Sequence, residues 1–174
     1  MPGKIDTQVR GENMRNMLGT LLFILVFCAA ASGAEPDSGK GRLSVPFSIS
    51  RTGHIVIKAD IKGKDAYFVV DTAAGASVIN QKSIRYLGLK PGATVRGGAK
   101  GLGTSSHATR QIAMPGITIQ KVEYKNPYFV TMDLSHAEQA SEKGLHGLIG
   151  SPFLQKHGAI INYEQKTISL RLPK

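Results

Sequence analysis

The stretch Phe68-Val69-Val70-Asp71-Thr72-Ala73-Ala74-Gly75-Ala76-Ser77-Val78-Ile79 decides the fold of this chain. Its first residues continue an apolar run without alternation, which is typical of a strand that lies in the core. Asp71 follows this run at once, and a carboxylate beside core strands is costly unless something stabilises it. The small residues after Asp71 leave space for a second backbone to approach. Taken alone, the acid has another interpretation, because an aspartate that ends a strand commonly caps a turn.

The segments before this stretch have the pattern of strands. Apolar and polar residues alternate over residues 43–49 and again over residues 55–61, which predicts two half-buried strands. A turn at residues 62–65 joins the second of them to a strand over residues 66–70. The sequence therefore predicts a β-hairpin that ends next to Asp71.

The segments after this stretch are shorter but similar in kind. Residues 117–122 and 128–132 are strand-like, and a short apolar run at residues 148–149 lies between two glycines. Residues 159–163 and 167–170 predict a last hairpin.

Two short helices are predicted among these strands. Asn80 is placed to cap a helix over residues 81–87, and Gly88 to end it. Ser151 is placed to cap a second helix that reaches about residue 156 and has a proline at its first position.

Two segments lack a regular pattern. Residues 96–110 are rich in Gly, Ser and Thr and predict a mobile hairpin or loop, and residues 133–144 form a polar excursion. With many strands, short helices and 20 glycines, the sequence predicts an all-β fold, a closed β-barrel.

The N-terminus has the layout of a targeting segment. Basic residues precede an apolar stretch at 17–31, and small residues at 32–34 follow it. This order predicts a signal peptide or an N-terminal membrane anchor over residues 1–34. The signal peptide is favoured, because the apolar stretch is short for a membrane span, which needs about 20 residues. Residues 35–42 are then a linker, residues 43–174 form one domain, and the protein is exported.

Composition narrows the class of protein without deciding it. Hydrophobic residues make up 41% and charged residues 20%, which is the profile of a soluble globular domain. The only cysteine, Cys28, lies in the apolar N-terminal stretch, so the domain itself has no disulfide and no thiolate metal site. The net charge is +10, but the basic residues are scattered, and no nucleic-acid partner is predicted.

The residues around Asp71 resemble those of a known family. Asp71-Thr72-Ala73-Ala74, followed by Ser77-Val78-Ile79, is similar to the Asp-Thr/Ser-Gly-Ala signature of the retropepsin-like aspartic proteases. Residues 147–154 and 158–163 resemble the apolar-apolar-Gly element, short helix and terminal strand that close the same fold. The Gly-rich residues 96–110 stand where that family carries its flap hairpin.

The resemblance covers about residues 43–170 and looks closest to bacterial exported or membrane-anchored members. It implies a retropepsin-like closed barrel with a flap, and an aspartic endopeptidase that acts on peptide or protein substrates. Asp71 is then the catalytic acid, Thr72 braces the site across a dimer interface, and the N–H of Ala73 supports the carboxylate. One Asp motif per chain implies a homodimer without metal or cofactor, and the expected location is periplasmic or secreted, or anchored to the inner membrane.

Two positions depart from the family pattern. Ala73 replaces the usual Gly, and an alanine can offer its N–H without strain only if its φ is negative. Asn162 stands where related bacterial proteins often have Asp. Neither change removes the catalytic acid.

Other chemistries have little support in the sequence. The five histidines include no pair in a His-Glu-x-x-His motif, and no serine lies in a Gly-x-Ser-x-Gly elbow. The glycines at 97–103 match neither the P-loop nor Gly-x-Gly-x-x-Gly.

Two alternatives to the protease remain open. The first is a non-catalytic module of the same fold that binds extended peptide or self-associates, because a fold does not determine a function. The second is an exported basic protein that binds anionic surface polymers or lipid, with binding that weakens steeply with salt.

Overall fold

The predicted hairpin next to Asp71 lies at the centre of the structure. The computed structural model describes residues 41–94 and 109–174, all within the unit Ala34–Lys174. The described residues are mostly β, with these strands: β1 Arg42–Pro46, β2 Ser48–Ile49, β3 Ile55–Ile61, β4 Lys64–Asp71, β5 Ser77–Asn80, β6 Pro91–Thr94, β7 Arg110–Ile112, β8 Gly116–Ile119, β9 Val122–Lys125, β10 Phe129–Met132, β11 Gly147–Gly150, β12 Ile160–Asn162 and β13 Thr167–Arg171.

The strands of the described ranges form two sheets. The larger has the order β6-β7-β10-β5-β11-β4-β3-β8-β9, with β2 paired to β3, and the smaller has the order β1-β13-β12. Strand β4 pairs antiparallel with β3 and parallel with β11, which comes much later in the chain. This position places the end of β4, and therefore Asp71, between two neighbouring strands.

The two faces of β4 contact different apolar clusters. Phe68 and Val70 belong to the main core, whereas Val69 belongs to a second cluster on the opposite face. The second cluster consists of Val56, Val69, Val78, Val130, Leu134, Ala140 and Leu145. Since side chains alternate along a strand, Asp71 projects to the same face as Val69.

The alternating run at residues 43–49 forms two strands rather than the one predicted. β1 pairs with β13 of the smaller sheet, and β2 pairs with β3 of the larger sheet. Phe47 lies between them, and its N–H donates to the carbonyl of Lys166 at 2.9 Å. Burial alternates along β1, whereas both residues of β2 are exposed, but the alternation of apolar and polar residues in the sequence continues through both strands, so periodicity did not reveal the change of partner.

The strand predicted at residues 117–122 was wrong, because the chain turns back inside it. β8 ends at Ile119 and β9 begins at Val122, and the two strands pair antiparallel. Gln120, in the turn, has a φ of 54°, a conformation that turn predictions associate with Gly or Asn. Residues 120–121 include neither Gly nor Asn, so no turn was predicted here, and β9 was missed.

Of the two predicted helices, the one at residues 81–87 is shorter than predicted. The first is a 3-10 helix, Gln81–Ser83, followed by turns up to Gly88, whose φ is +61°. Asn80 caps it as predicted, accepting the N–H of Lys82 at 3.4 Å. A second 3-10 helix, Ser135–Ala140, lies in the polar excursion.

The helix α1, Ser151–Lys156, confirms the second predicted helix but corrects its cap. Gly150 is the N-cap residue, and Ser151 is the first helical residue. The N–H of Ser151 donates instead to the carbonyl of Ala74 at 2.9 Å. This bond ties the start of α1 to the loop that follows Asp71.

Two predictions fall largely outside the described residues. The signal peptide or anchor predicted at residues 1–34 and most of the linker after it lie there. The hairpin or loop predicted at 96–110 lies there too, except for Thr109 and Arg110, the first residue of β7.

Candidate active site

Asp71 is the last residue of β4 and faces a glycine on the adjacent strand. The register of the parallel pair β4 and β11 places Gly150 opposite Asp71 and Leu148 opposite Val69. Asp71 is half-buried, and the two residues after it, Thr72 and Ala73, are exposed. The three residues predicted as the catalytic set therefore form one accessible turn at the end of a core strand.

The carboxylate of Asp71 is held by the backbone of its own turn. Its Oδ1 accepts the N–H of Ala73 at 2.9 Å and the N–H of Ala74 at 3.1 Å. The N–H of Ala74 also approaches the carbonyl of Asp71 at 3.3 Å. Within residues 41–94 and 109–174, Oδ2 makes no hydrogen bond, so one oxygen is oriented and the other remains available.

Ala73 fits its position without strain. The non-glycine residues with positive φ in the described part of the chain are Lys62, Gln120, Asn126 and Lys166. Ala73 is not among them, so its φ is negative and its methyl group meets no conformational penalty. The condition set by the sequence is met, because Ala73 donates its N–H to Asp71 as the family's glycine would.

Thr72 is exposed and makes no hydrogen bond through its side chain to any described residue of its own chain. A hydroxyl group at the edge of a carboxylate turn is both a donor and an acceptor. Its bonding capacity is therefore not used by the described residues of its own chain.

Two glycines of β11 allow this strand to approach the Asp71 loop. A Cβ on Gly150 would lie 2.3 Å from the carbonyl oxygen of Ala76, and one on Gly147 would lie 2.1 Å from that of Val78. Both distances are too short for any side chain, so only glycine permits this packing. The sequence identified these glycines as part of a motif but did not indicate which backbone atoms they would face.

Ser77 has a structural role that the sequence did not predict. It is 1% exposed, and its Oγ accepts the N–H of Gly150 at 3.0 Å. The bond joins β11 to β5 beside Asp71, beyond the residues over which the two strands pair. A small polar residue directly before the apolar pair Val78-Ile79 was the only signal available.

Asn80 is a second residue whose role was underestimated. It is 2% exposed, its Nδ2 donates to the carbonyl of Leu145 at 2.9 Å, and its Oδ1 accepts the N–H of Leu134 at 3.4 Å. These bonds fasten both ends of the excursion between β10 and β11. The excursion adds Leu134, Ala140 and Leu145 to the second apolar cluster, on the face of β4 that carries Asp71.

His146 joins β11 to β4 immediately before the glycines. Its Nδ1 accepts the N–H of Tyr67 at 3.1 Å, and its own N–H donates to the carbonyl of Tyr67 at 2.9 Å. Burial lowers the pKa of His146, against a smaller opposing effect of a backbone hydrogen bond at Gly144. The neutral ring is thus the form that this junction requires.

Asn162 performs a local task that an aspartate could also perform. Its Oδ1 accepts the N–H of Gln165 at 2.9 Å in the turn between β12 and β13. The departure from the family pattern at this position therefore leaves the turn intact.

No group of three or more His, Cys, Asp or Glu side chains in the described ranges is arranged to hold a metal ion. Within the same ranges, no helix is long and apolar enough to cross a membrane.

Comparison with known proteins identifies the pattern. The model of a family described as aspartyl protease matches residues 57–153, more than half of the 174-residue chain. The matched residues include Asp71, Thr72 and Ala73, together with β11 and the start of α1. The search of curated proteins found no match.

Solved structures also resemble the chain. A retropepsin-like aspartic protease from Rickettsia conorii is 22% identical, with a TM-score of 0.48, and the alignment covers 76% of this chain and 91% of that one. The retroviral protease-like domain of Ddi1 from Leishmania major is 15% identical, with a TM-score of 0.48 and coverage of 69% and 92%. The EIAV protease complexed with the inhibitor HBY-793 is 17% identical, with a TM-score of 0.45 and coverage of 66% and 98%.

Proposed function

Because the chain belongs to the aspartyl protease family, we propose that it is an endopeptidase that cleaves extended peptide segments with a water molecule activated by Asp71. The observation that carries this proposal is the carboxylate itself. One oxygen of Asp71 is held by two backbone N–H groups, and the other has no partner among the described residues. A carboxylate fixed in orientation yet accessible is suited to proton transfer.

The reaction needs a second carboxylate, and we propose that a second copy of the chain provides it. The chain carries one Asp-Thr motif, so a two-fold axis would bring Asp71 of each protomer together. The exposed Thr72, with no partner for its hydroxyl group in its own described chain, supports this arrangement. In the dimer, Thr72 would brace the paired carboxylates by a hydrogen bond across the interface.

The proposed mechanism follows from the charge of the pair. Two adjacent carboxylates cannot both ionise readily, so they share one proton. The ionised carboxylate accepts a proton from water while the water oxygen attacks the peptide carbonyl carbon, and the protonated carboxyl group donates its proton to the carbonyl oxygen. The gem-diol intermediate then collapses: the C–N bond breaks, the leaving nitrogen takes the proton that came from water, and one hydroxyl group returns its proton to the other carboxylate, which restores the singly protonated pair.

The surroundings of Asp71 support an apolar subsite for the substrate. Val69 and its neighbour in register, Leu148, lie on the Asp71 face, and Leu148 is only half-buried. An extended peptide across the turn would place an apolar side chain near Leu148, while its backbone would pair as an added strand does.

The finer features of the fold and the location are part of the same proposal. We propose that the sheets belong to a closed retropepsin-like barrel and that residues 96–110 form a flap over the bound peptide. The protein would act outside the cytoplasm, in the periplasm or as a secreted protein, or anchored to the inner membrane through its N-terminal apolar segment.

The test compares the wild-type protein with Asp71→Asn on a diverse peptide library from acidic to neutral pH, with products identified by mass spectrometry. We expect cleavage by the wild type, strongest at acidic pH because the pair titrates as a unit, and none by the variant. Asparagine preserves the size and one acceptor of the side chain, so the variant should fold normally. Cleavage that survives in Asp71→Asn would refute the assignment of Asp71.

Absence of cleavage by either protein, from a verified dimer, would favour the non-catalytic peptide-binding module instead. Ala73, which departs from the family pattern, gives this module no support in the structure, because it donates its N–H to Asp71 at 2.9 Å.

A further inference from the structure

A cleft built from three separate elements lies apart from Asp71. It has a volume of about 530 Å³ and lies among β9, the end of α1 and the end of the chain beyond β13. The side chains on which the argument rests are Tyr124, Lys125, Lys156, His157, Arg171 and Lys174, and they are called the basic cleft below. Its volume lies within the range of sites for small molecules.

The charge of the basic cleft is strongly unbalanced. Its lining side chains are four cations and one carboxylate, that of Glu123, so the side chains carry a formal excess of three positive charges. None of the four cations forms an ion pair with another residue in the described ranges, where the ion pairs involve Arg51, Lys58 and Lys82. Like charges held together in a concave site repel each other, and a multivalent anion would relieve that repulsion.

Arg171 is placed in the cleft by the surrounding backbone. Its N–H donates to the carbonyl of His157 at 2.7 Å, and its carbonyl accepts the hydroxyl group of Tyr124 at 3.4 Å. Its guanidinium group lies against Gly158, where a Cβ would be 2.8 Å from Nε. The two hydrogen bonds hold the main chain of Arg171, and its exposed guanidinium group, a planar group with five N–H donors, is suited to the bidentate recognition of an oxyanion.

His157 adds a buried donor to the cleft wall. It is 9% exposed and packs edge to face with Tyr124 at 4.6 Å and against Phe153 at 4.6 Å. Its ring nitrogens make no hydrogen bond to any described residue, although the residue lines the cleft. Neither ring nitrogen is among the fully buried unpaired polar atoms of the described ranges, so the ring is accessible from the cleft and can hydrogen-bond a ligand there.

We propose that the basic cleft binds an oxyanion of the phosphate class, with Arg171 and His157 as donors and Lys125, Lys156 and Lys174 as charge partners. A dianion or trianion matches the excess charge, whereas a single carboxylate would leave most of it unbalanced. The apolar wall at Tyr124 and Leu172 leaves room for an organic part of the ligand. The ligand is thus either a free phosphate compound or the headgroup of an anionic phospholipid.

The test titrates sodium pyrophosphate into the full-length protein at low ionic strength and measures binding by isothermal titration calorimetry. We expect one binding site, and at least about tenfold weaker binding in Lys125→Gln/Lys156→Gln, because two charge-assisted contacts are lost. Both lysines are exposed, so the variant should fold. The matched control is Lys90→Gln/Lys121→Gln, which removes the same charge from exposed positions outside the cleft and should change binding less than about twofold.

A second arm identifies the source of the anion. Sedimentation with vesicles of phosphatidylcholine and phosphatidylglycerol is compared with vesicles of phosphatidylcholine alone. Binding that depends on phosphatidylglycerol and on the Lys125/Lys156 pair, but not on the control pair, indicates a lipid headgroup. Pyrophosphate binding with no such vesicle dependence indicates a free phosphate compound.

Three results would overturn the proposal. The first is an equal loss of binding in the cleft variant, Lys125→Gln/Lys156→Gln, and in the control variant. The second is that neither pyrophosphate binding nor vesicle binding depends on Lys125 and Lys156. The third is a loss of binding in Asp71→Asn. The last variant is included because the cleft does not involve Asp71, and its binding should equal that of the wild type whatever becomes of peptide cleavage.

Discussion

At the scale of single residues, the turn after Asp71 is built from backbone donors rather than side chains. Ala73 and Ala74 both donate to Oδ1, and the methyl groups contribute no polar contact. The requirement at position 73 is therefore an N–H group with negative φ, which alanine satisfies as well as glycine.

Ala73→Gly should consequently leave peptide cleavage unchanged. It should lower the free energy of unfolding by about 0.4–1 kcal/mol, because glycine gains more conformational freedom in the unfolded chain. Urea denaturation and kcat/KM on one peptide from the library would measure both effects. A several-fold rise in kcat/KM would show instead that Ala73 limits activity.

Asn162 gives a second prediction at this scale. Asn162→Asp retains the acceptor for the N–H of Gln165 and should change the free energy of unfolding by no more than about 0.5 kcal/mol. The comparison variant Asn162→Ala removes the acceptor and should cost about 1 kcal/mol. If the two substitutions were equally destabilising, the turn bond would not be the role of Asn162.

At the scale of elements, the decisive contact is the insertion of β11 between β4 and β5. Gly147 faces Phe68 on β4 and Ile79 on β5, and Gly150 faces Asp71. Because backbone atoms approach closely at both glycines, the position of the Asp71 loop depends on their lack of side chains.

Gly147→Ala should therefore destabilise the protein by about 1–3 kcal/mol or more, since its Cβ would lie 2.1 Å from a backbone carbonyl oxygen. The control is Gly75→Ala, where a Cβ would meet nothing within 4 Å and φ is not positive. Urea denaturation would compare the two variants, and failure of Gly147→Ala to fold counts as the expected direction. Equal stabilities would contradict the close packing.

The same junction predicts a dependence of stability on pH. The pKa of His146 is lowered, chiefly by burial, and burial together with the neighbouring charge of Lys156 lowers the pKa of His157. A lowered folded-state pKa means that the stabilising contribution is complete above the unfolded value of about 6.5 and is lost as pH falls below it. The free energy of unfolding should thus decrease from pH 7 to pH 5.

His146→Gln should show a shallower decrease over this interval, because only His157 of the pair remains to take up a proton on unfolding. Urea denaturation at several pH values would give the slopes. A wild-type stability that does not change between pH 7 and pH 5, or an identical slope in the variant, would contradict this role of His146.

At the scale of the whole molecule, one chain carries one of the two carboxylates that the proposed dyad requires. In the proposed dimer each protomer would provide one Asp71, so activity should belong to the dimer alone. The acidic optimum expected for the dyad also falls where protonation of His146 and His157 weakens the protomer, so activity should be limited on the acidic side by stability.

Mixing experiments test the dimer directly. When equal amounts of wild type and Asp71→Asn exchange subunits freely, about a quarter of the dimers contain two wild-type chains. Total activity should then fall to about half of that of the same amount of wild-type chain measured without the variant. Activity that simply adds, without inhibition by the variant, would show that a single chain suffices.

The sequence by itself determined the local features of this protein. The apolar run before Asp71, the alternation at residues 55–61 and the small residues after Asp71 each reflect a periodicity or a conformational preference of neighbouring residues, and they sufficed to place the candidate acid at the end of a core strand. The same local rules failed at Gln120, where a turn is made without Gly or Asn, and at residues 43–49, where one alternation of apolar and polar residues runs through strands of two sheets.

Only the tertiary structure decided which distant segments meet. The approach of Gly150 to Asp71, the bond from Gly150 to Ser77, and the fastening of the excursion by Asn80 join residues far apart in the chain. The basic cleft likewise collects cations from β9, α1 and the segment after β13, which look scattered in the sequence. Periodicity describes which face of an element is buried, but it does not specify the partner, because strand pairing depends on the shape and hydrogen bonding of both elements together.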